Sequence, residues 1–289
     1  MESCALRHEG RDRPYLLYIP ATAGPGAALV VQLHGRGTGA ERFDEFTGFR
    51  PLADKIGFVL ALPEAVGEIW NDGRDAQRRQ PDDVSYLTAV LDDILARYPF
   101  DERRVYFVGM SNGAAMAGRF AVERSDRLTA FAQVAGTAAV WLAEGPKPAL
   151  PVPILQIHGA ADRFAPYAGG NRHGFWARSL IRRSVGPSVG VDAWAQFWIE
   201  ANRADPSPRT SELPPDTTVR SWRDADGREA VVFYRVEDGG HTWPGSTFPV
   251  PRWLLGRTTH TFDATRTIWD FFADSVSQSA TSRNISSST

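Results

Sequence analysis

Val105-Tyr-Phe-Val-Gly-Met-Ser-Asn-Gly-Ala-Ala-Met-Ala-Gly-Arg-Phe-Ala-Val122 is the stretch on which the fold turns. Its first four residues are β-branched or aromatic, the composition of a short strand buried on both faces. From Gly113 onward the residues are small and suit a helix. Gly109 and Gly113 flank Ser111, so the chain can turn sharply between strand and helix and present the serine hydroxyl at the turn. A hydroxyl held there can meet both a base and a substrate, whereas a buried one cannot. The competing reading is a serine that only caps the helix.

Further apolar runs lie on either side: Pro14–Pro20, Ala28–Leu33, Phe58–Leu62, Phe131–Ala135, Ile154–Ile157 and Ala230–Val236. Helical patterns separate them. One starts at Asp82 or Asp83, carries Val84, Leu87, Leu91, Ile94, Leu95 and Tyr98 on one face, and stops at Pro99. Others are expected over about 41–56, 191–202 and 261–273. Strands that are nearly all apolar, alternating with helices, predict a mostly parallel central sheet with helices on both faces. With a serine at the strand-to-helix turn, that is the α/β-hydrolase arrangement. Residues 1–273 read as one such domain, with about 165–228 as an insertion near the site. The Pro-rich stretch Pro206–Pro215 reads as a loop, and the tail 274–289, dominated by Ser, Thr, Asn and Gln, reads as disordered.

A net charge of −2 over 289 residues, with basic and acidic residues interspersed, gives no case for nucleic acid or an anionic membrane surface. No run of apolar residues is long enough to span a bilayer. The one cysteine, Cys4, excludes an internal disulfide and a Cys-based zinc site. Residues 1–10 hold no apolar signal-peptide core. Cytoplasmic residence is therefore expected of the chain as it stands, and secretion if a signal has been removed.

A serine nucleophile needs an imidazole, and the imidazole needs a carboxylate to orient it. In this arrangement the order along the chain is nucleophile, acid, histidine. Asp162 stands on the loop that follows Ile154–Ile157, in His158-Gly-Ala-Ala-Asp162; the bland alternative is an Asp capping a turn. Of the six histidines, His241 follows the last strand in Gly239-Gly-His-Thr-Trp-Pro-Gly245, and His260 is its competitor nearer the final helix. His158 reads as a packing or hydrogen-bonding residue. The oxyanion formed on attack needs two N–H donors. Asn112 supplies one and Arg36 the other, with Gly37 as the reserve, from the loop His34-Gly-Arg-Gly-Thr-Gly39. That loop lacks the Gly-x-Gly-x-x-Gly spacing of a dinucleotide site, so no cofactor is expected. The histidines and carboxylates show no metal-ligand spacing either. Trp70, Tyr167 and Trp243 are candidate substrate-binding residues, against the plainer reading of core packing. Arg178, Arg182 and Arg183 are candidates to meet a substrate carboxylate, against a solvated helix face.

These segments together resemble the polyhydroxybutyrate depolymerase and feruloyl esterase group of α/β-hydrolases, close to acetylxylan esterases. The resemblance spans nearly the whole chain: Arg13–Pro20, Leu33-His-Gly35, Trp70-Asn71, Gly109–Gly113, His158–Asp162 with Pro166-Tyr167 and Gly169-Gly170, Gly239–Gly245, Asp263-Ala-Thr265 and Trp269–Phe272. It implies that Ser111, Asp162 and His241 act as nucleophile, acid and base in hydrolysis of a small-molecule or polymeric ester. The acyl part implied is of the hydroxycinnamate or short hydroxyalkanoate kind. The chain departs from the family in lacking cysteines in the oxyanion loop and near Trp70-Asn71, and in carrying Arg78-Arg79 after that segment. A serine peptidase of the same fold and a binding protein that kept the fold are the rival readings.

Overall fold

The apolar runs become the middle of a ten-stranded sheet in the computed structural model, which describes residues 1–74, 81–170 and 186–285. In chain order the strands are β1 (Glu2–His8), β2 (Arg11–Tyr18), β3 (Leu29–Leu33), β4 (Val59–Pro63) and β5 (Val105–Met110). They continue as β6 (Ala130–Val134), β7 (Ile154–Gly159), β8 (Arg209–Leu213), β9 (Thr217–Arg223) and β10 (Glu229–Val236). Across the sheet they lie in the order β1-β2-β4-β3-β5-β6-β7-β10-β9-β8. The run from β4 to β10 is parallel, and an antiparallel pair closes each edge.

Successive side chains of the central strands enter opposite layers, as the twofold period of a strand requires. Leu29, Val31 and Leu33 of β3 join one apolar cluster, and Val30 joins the other. The first layer packs against α3 (Asp83–Arg97), α4 (Asn112–Glu123) and the helix Val191–Ala201 through residues such as Leu87, Phe120, Trp194 and Trp198. The second packs against α1 (Ala40–Thr47), α2 (Phe49–Ile56) and the helix Ala264–Ile285 through Phe43, Phe49, Ile268 and Phe272. Helices therefore cover both faces of a mostly parallel sheet, and the fold is that of the α/β-hydrolases.

Local chemistry sets the boundaries. The Asp82 side chain accepts the Ser85 N–H at 3.0 Å and caps α3, and Tyr98 before Pro99 ends it. Gly48, at φ 72°, divides the expected 41–56 helix into α1 and α2. One expectation needs correction. Pro206–Pro215 contains β8, an edge strand whose residues are mostly exposed, so it needs no apolar alternation to betray it. The last helix runs from Ala264 to Ile285. Its stem is docked by Ile268, Trp269, Phe271 and Phe272, and Ser and Thr are tolerated once a helix is nucleated. Residues 286–289 lie outside the described residues.

The carboxyl ends of adjacent parallel strands point to one edge of the sheet. From there β3 leads into the 34–39 loop, β5 into Ser111, β7 into the Asp162 loop and β10 into the His241 loop. Residues far apart in sequence converge at that edge.

Candidate active site

Ser111 sits between β5 and α4 with φ 57° and ψ −116°, a conformation that costs a non-glycine residue roughly 1–3 kcal/mol. The surrounding backbone holds it there. Its N–H donates to the Val134 carbonyl at 2.9 Å, and its own carbonyl accepts from Ala115 N–H at 3.1 Å. Gly113 lets the helix approach this closely, since a Cβ on it would lie 2.0 Å from the Leu33 carbonyl oxygen. The strand-to-helix turn read from the sequence is therefore a tightly packed one.

Asp162 and His241 meet below the same edge. A carboxylate can only accept, so Nδ1–H of His241 donates to Asp162 Oδ2, at 2.8 Å. The other carboxylate oxygen accepts the N–H groups of Phe164 and Ala165, each at 2.8 Å. Burial pushes the Asp162 carboxyl upward. The His241 imidazole and its hydrogen bond, with smaller help from His158 and the Ala165 N–H, outweigh this and hold it below the usual carboxylate range. His158 lies behind the pair, fully buried, with Nε2–H donated to the Ala165 carbonyl at 2.8 Å. Burial lowers its pKa, so it stays neutral and packs, as its sequence position suggests.

A strap from the chain beyond supports the His241 loop. His241 N–H donates to Leu255 carbonyl at 2.6 Å and Gly240 N–H to Arg257 carbonyl at 2.9 Å. Gly240 must be glycine here, because a Cβ would sit 2.0 Å from the Leu255 oxygen. Asp216 anchors the strap by accepting from Arg257 (2.5 Å), Thr259 (2.8 Å) and Thr261 (2.7 Å), and from its neighbour Thr217 (2.9 Å). Burial raises the Asp216 carboxyl, but these donors prevail and bring it down to about 2.

Ser111 and His241 line one cavity of about 420 Å³, within the range that holds a small ligand. Gly35, Arg36, Gly37 and Asn112 line it too, on the side of the glycine-rich loop. The Gly37 N–H is already donated to the Glu68 carbonyl at 3.0 Å, which disfavours the reserve oxyanion donor. As the first residue of α4, Asn112 has an N–H with no intrahelical acceptor. Its side chain is held by the Trp70 main chain and by Asp72, whose Oδ2 accepts Nδ2–H at 2.6 Å. Arg74 donates to the same carboxylate through Nε at 2.9 Å.

The three aromatic candidates lie outside this cavity. Trp70 does not line the cavity: it is buried with its indole N–H on the His34 carbonyl at 3.0 Å, fixing the glycine-rich loop from beneath. Trp243 is also core, edge-on to Phe43 and Phe49 with Nε1–H on Thr265. Tyr167 donates its hydroxyl to Asp192 at 2.8 Å and packs against Phe233, away from the cavity. His260 is exposed and outside it. Arg178, Arg182 and Arg183 lie outside the described residues. No described residue of 165–228 lines the cavity; the apolar wall is built instead by Phe43, Phe46, Phe164, Phe248, Val250 and Leu255. Phe164 packs against the His241 ring in a tilted arrangement, 5.4 Å between centroids. Phenylalanines spread over α1 and two loops carry no sequence pattern, although Phe164 lies only two residues from Asp162. Among the described residues no cluster of His, Cys, Asp and Glu could hold a metal ion, and no helix is long and apolar enough to cross a membrane.

The family model described as Esterase PHB depolymerase matches residues 13–150. NocK of Nocardia uniformis subsp. tsuyamanensis, assigned as an esterase, is 32% identical over 274 residues, covering 91% of this chain and 79% of NocK. The chain belongs to the PHB depolymerase esterase family. Carboxylic ester hydrolysis is the chemistry of that family, and an ester is its substrate. This PHB-depolymerase-type esterase is also 27% identical over 161 residues to the bifunctional acetylxylan esterase/xylanase XynS20E of Neocallimastix patriciarum, and 23% identical over 226 residues to feruloyl esterase B of Piromyces equi. It spans only 23% and 40% of those two longer proteins. In fold it is similar to the acetyl xylan esterase from Aspergillus awamori, with a TM-score of 0.62 over 84% of this chain and 94% of that one at 12% identity.

Proposed function

We propose that the esterase works by an acyl-enzyme route in which Ser111 is the nucleophile, His241 the general base and acid, and Asp162 the group that orients it. The observation that carries this reading is the bond from His241 Nδ1–H to the buried Asp162 carboxylate, in a loop whose imidazole opens on the same cavity as Ser111. With Nδ1 protonated, Nε2 is the ring nitrogen left to take the Ser111 proton. Ser111 then attacks the ester carbonyl, and the oxyanion rests against the N–H groups of Arg36 and Asn112. His241 returns the proton to the departing alcohol, and a water repeats the sequence on the acyl-enzyme. No cofactor takes part in this scheme. Residues 1–273 act in it as one domain.

The acyl group in this reading is a hydroxycinnamate of the feruloyl type or a short hydroxyalkanoate. Phe46, Phe164 and Phe248 offer ring faces and edges to such a group, and a cavity of about 420 Å³ suits one acyl unit rather than a long chain. A panel of esters with a common alcohol and graded acyl parts tests it. Turnover should be highest for methyl ferulate-like and short-chain esters. Turnover confined to long-chain acyl esters would overturn the substrate reading, and turnover of amides in preference to esters would favour a peptidase.

A further inference from the structure

Three arginines, Arg36, Arg42 and Arg74, line the cavity of Ser111 and His241, and among the described residues no aspartate or glutamate does. Their circumstances differ. Arg74 is paired with the buried Asp72, which balances its charge inside the wall. Arg36 stands on the oxyanion loop and has interactions of its own. Arg42 projects from α1 with its guanidinium 5.9 Å from the centre of the Phe248 ring, and no described carboxylate lies within ion-pair distance of it. Glu45, one turn further along the helix, lines the neighbouring cavity instead.

An uncompensated guanidinium at the wall of a partly apolar cavity is a device for a planar anion. It offers several N–H donors in a fixed fork, and a carboxylate can accept two of them. Arg42 is itself exposed to solvent, so this attraction is the modest one of a water-accessible pair, while the Phe46, Phe164 and Phe248 rings meet the carbon body of the substrate. Phe248 further restrains the guanidinium from one side, so less freedom is lost when an anion binds.

We propose that the esterase prefers esters that also carry a carboxylate, with the reacting carbonyl at Ser111, the carbon body against the phenylalanines and the carboxylate on Arg42. This rests on Ser111 being the nucleophile and deepens that reading by naming the charge of the substrate. The half-ester of a dicarboxylic acid is the simplest molecule that meets the requirement.

The test compares kcat/KM for p-nitrophenyl hydrogen adipate and p-nitrophenyl hexanoate, which share leaving group and carbon count and differ in one terminal carboxylate. The wild-type enzyme should favour the adipate half-ester by roughly tenfold, the size of one charge-assisted hydrogen bond in a partly open site. Arg42→Ala should bring the ratio of the two close to one, Arg42→Glu should invert it, and Arg42→Lys should keep part of it. Added salt should reduce the wild-type ratio and leave that of Arg42→Ala nearly constant. A wild-type ratio near one, or a ratio unmoved by Arg42→Ala and Arg42→Glu, overturns the proposal while hexanoate turnover leaves the Ser111 reading standing. Absence of turnover of both esters, with no labelling by a fluorophosphonate, overturns both.

Discussion

The side-chain amide of Asn112 is bonded twice to the main chain of Trp70: Oδ1 accepts the Trp70 N–H at 2.8 Å and Nδ2 donates to the Trp70 carbonyl at 3.1 Å. A third bond, from Nδ2 to Asp72, uses its remaining donor. This ties the residue after Ser111 to the segment whose indole grips the His34 carbonyl, so the two sides of the proposed oxyanion site are braced against each other. The brace explains why two of the conspicuous residues of the 70–72 segment are buried.

Asn112→Ala removes the brace without touching the backbone N–H of residue 112. It leaves the Trp70 N–H and carbonyl without this partner and takes one donor from Asp72, at roughly 1–3 kcal/mol for each buried group left unmet. A looser oxyanion site should lower kcat by about 10²-fold, with a smaller change in KM. Steady-state kinetics on a short-chain ester, beside a thermal melt, check both parts. A fall in melting temperature with unchanged kcat would make the brace purely structural.

Asp162→Asn keeps the shape of the side chain but can donate as well as accept, and so no longer enforces Nδ1–H on His241. The expected loss in kcat is about 10⁴-fold. Stopped-flow acylation with p-nitrophenyl acetate measures it directly, and a loss of less than tenfold would remove Asp162 from its proposed role.

Gly113→Ala places a methyl where the Leu33 carbonyl oxygen stands 2.0 Å away. Because the neighbour is backbone on both sides, relief requires strand β3 and helix α4 to separate. Destabilisation at the upper end of overpacking, about 3 kcal/mol, is expected. Denaturant unfolding checks it; a stability within about 0.5 kcal/mol of wild type would mean the elbow is less tightly packed than described.

Asp216 gives a pH dependence whose sign is fixed. Its folded-state pKa, about 2, lies below the value of roughly 3.9 for an unfolded aspartate. The stability it contributes is therefore fully present above pH of about 4 and is lost as pH falls toward 2. Wild type should be more stable than Asp216→Asn at neutral pH, and the gap should narrow below pH of about 4. Melting temperatures from pH 7 to 3 test this, and a gap that is constant across the range would contradict it.

The sequence was most legible where one physical rule acts alone. The central strands announced themselves because burial on both faces leaves little but apolar residues, as in Leu29–Leu33 and Val105–Met110. Ser111, Asp162 and His241 stand out as candidates because each follows a recognisable strand and the loops carry glycines. β1, β8 and β9 carry no such signal, because these outer antiparallel strands are only partly buried and so are free of that rule. The cavity wall follows a different rule. Tryptophans are conspicuous by size, but Trp70 and Trp243 are used for packing and for their N–H groups, and the ring faces in the cavity come from Phe46, Phe164 and Phe248. Which side of an aromatic residue meets solvent depends on tertiary packing, and no spacing in the chain encodes it.

Covalent labelling at Ser111 tests the central claim most directly. The purified protein is incubated with a fluorophosphonate, digested, and the modified residue located by mass spectrometry, with Ser111→Ala run beside it. One adduct on Ser111 in the wild type, and none in Ser111→Ala, together with a fall in ester hydrolysis on the order of 10⁶-fold, is the predicted result. An unlabelled wild type, or equal labelling and turnover in the two proteins, would contradict it.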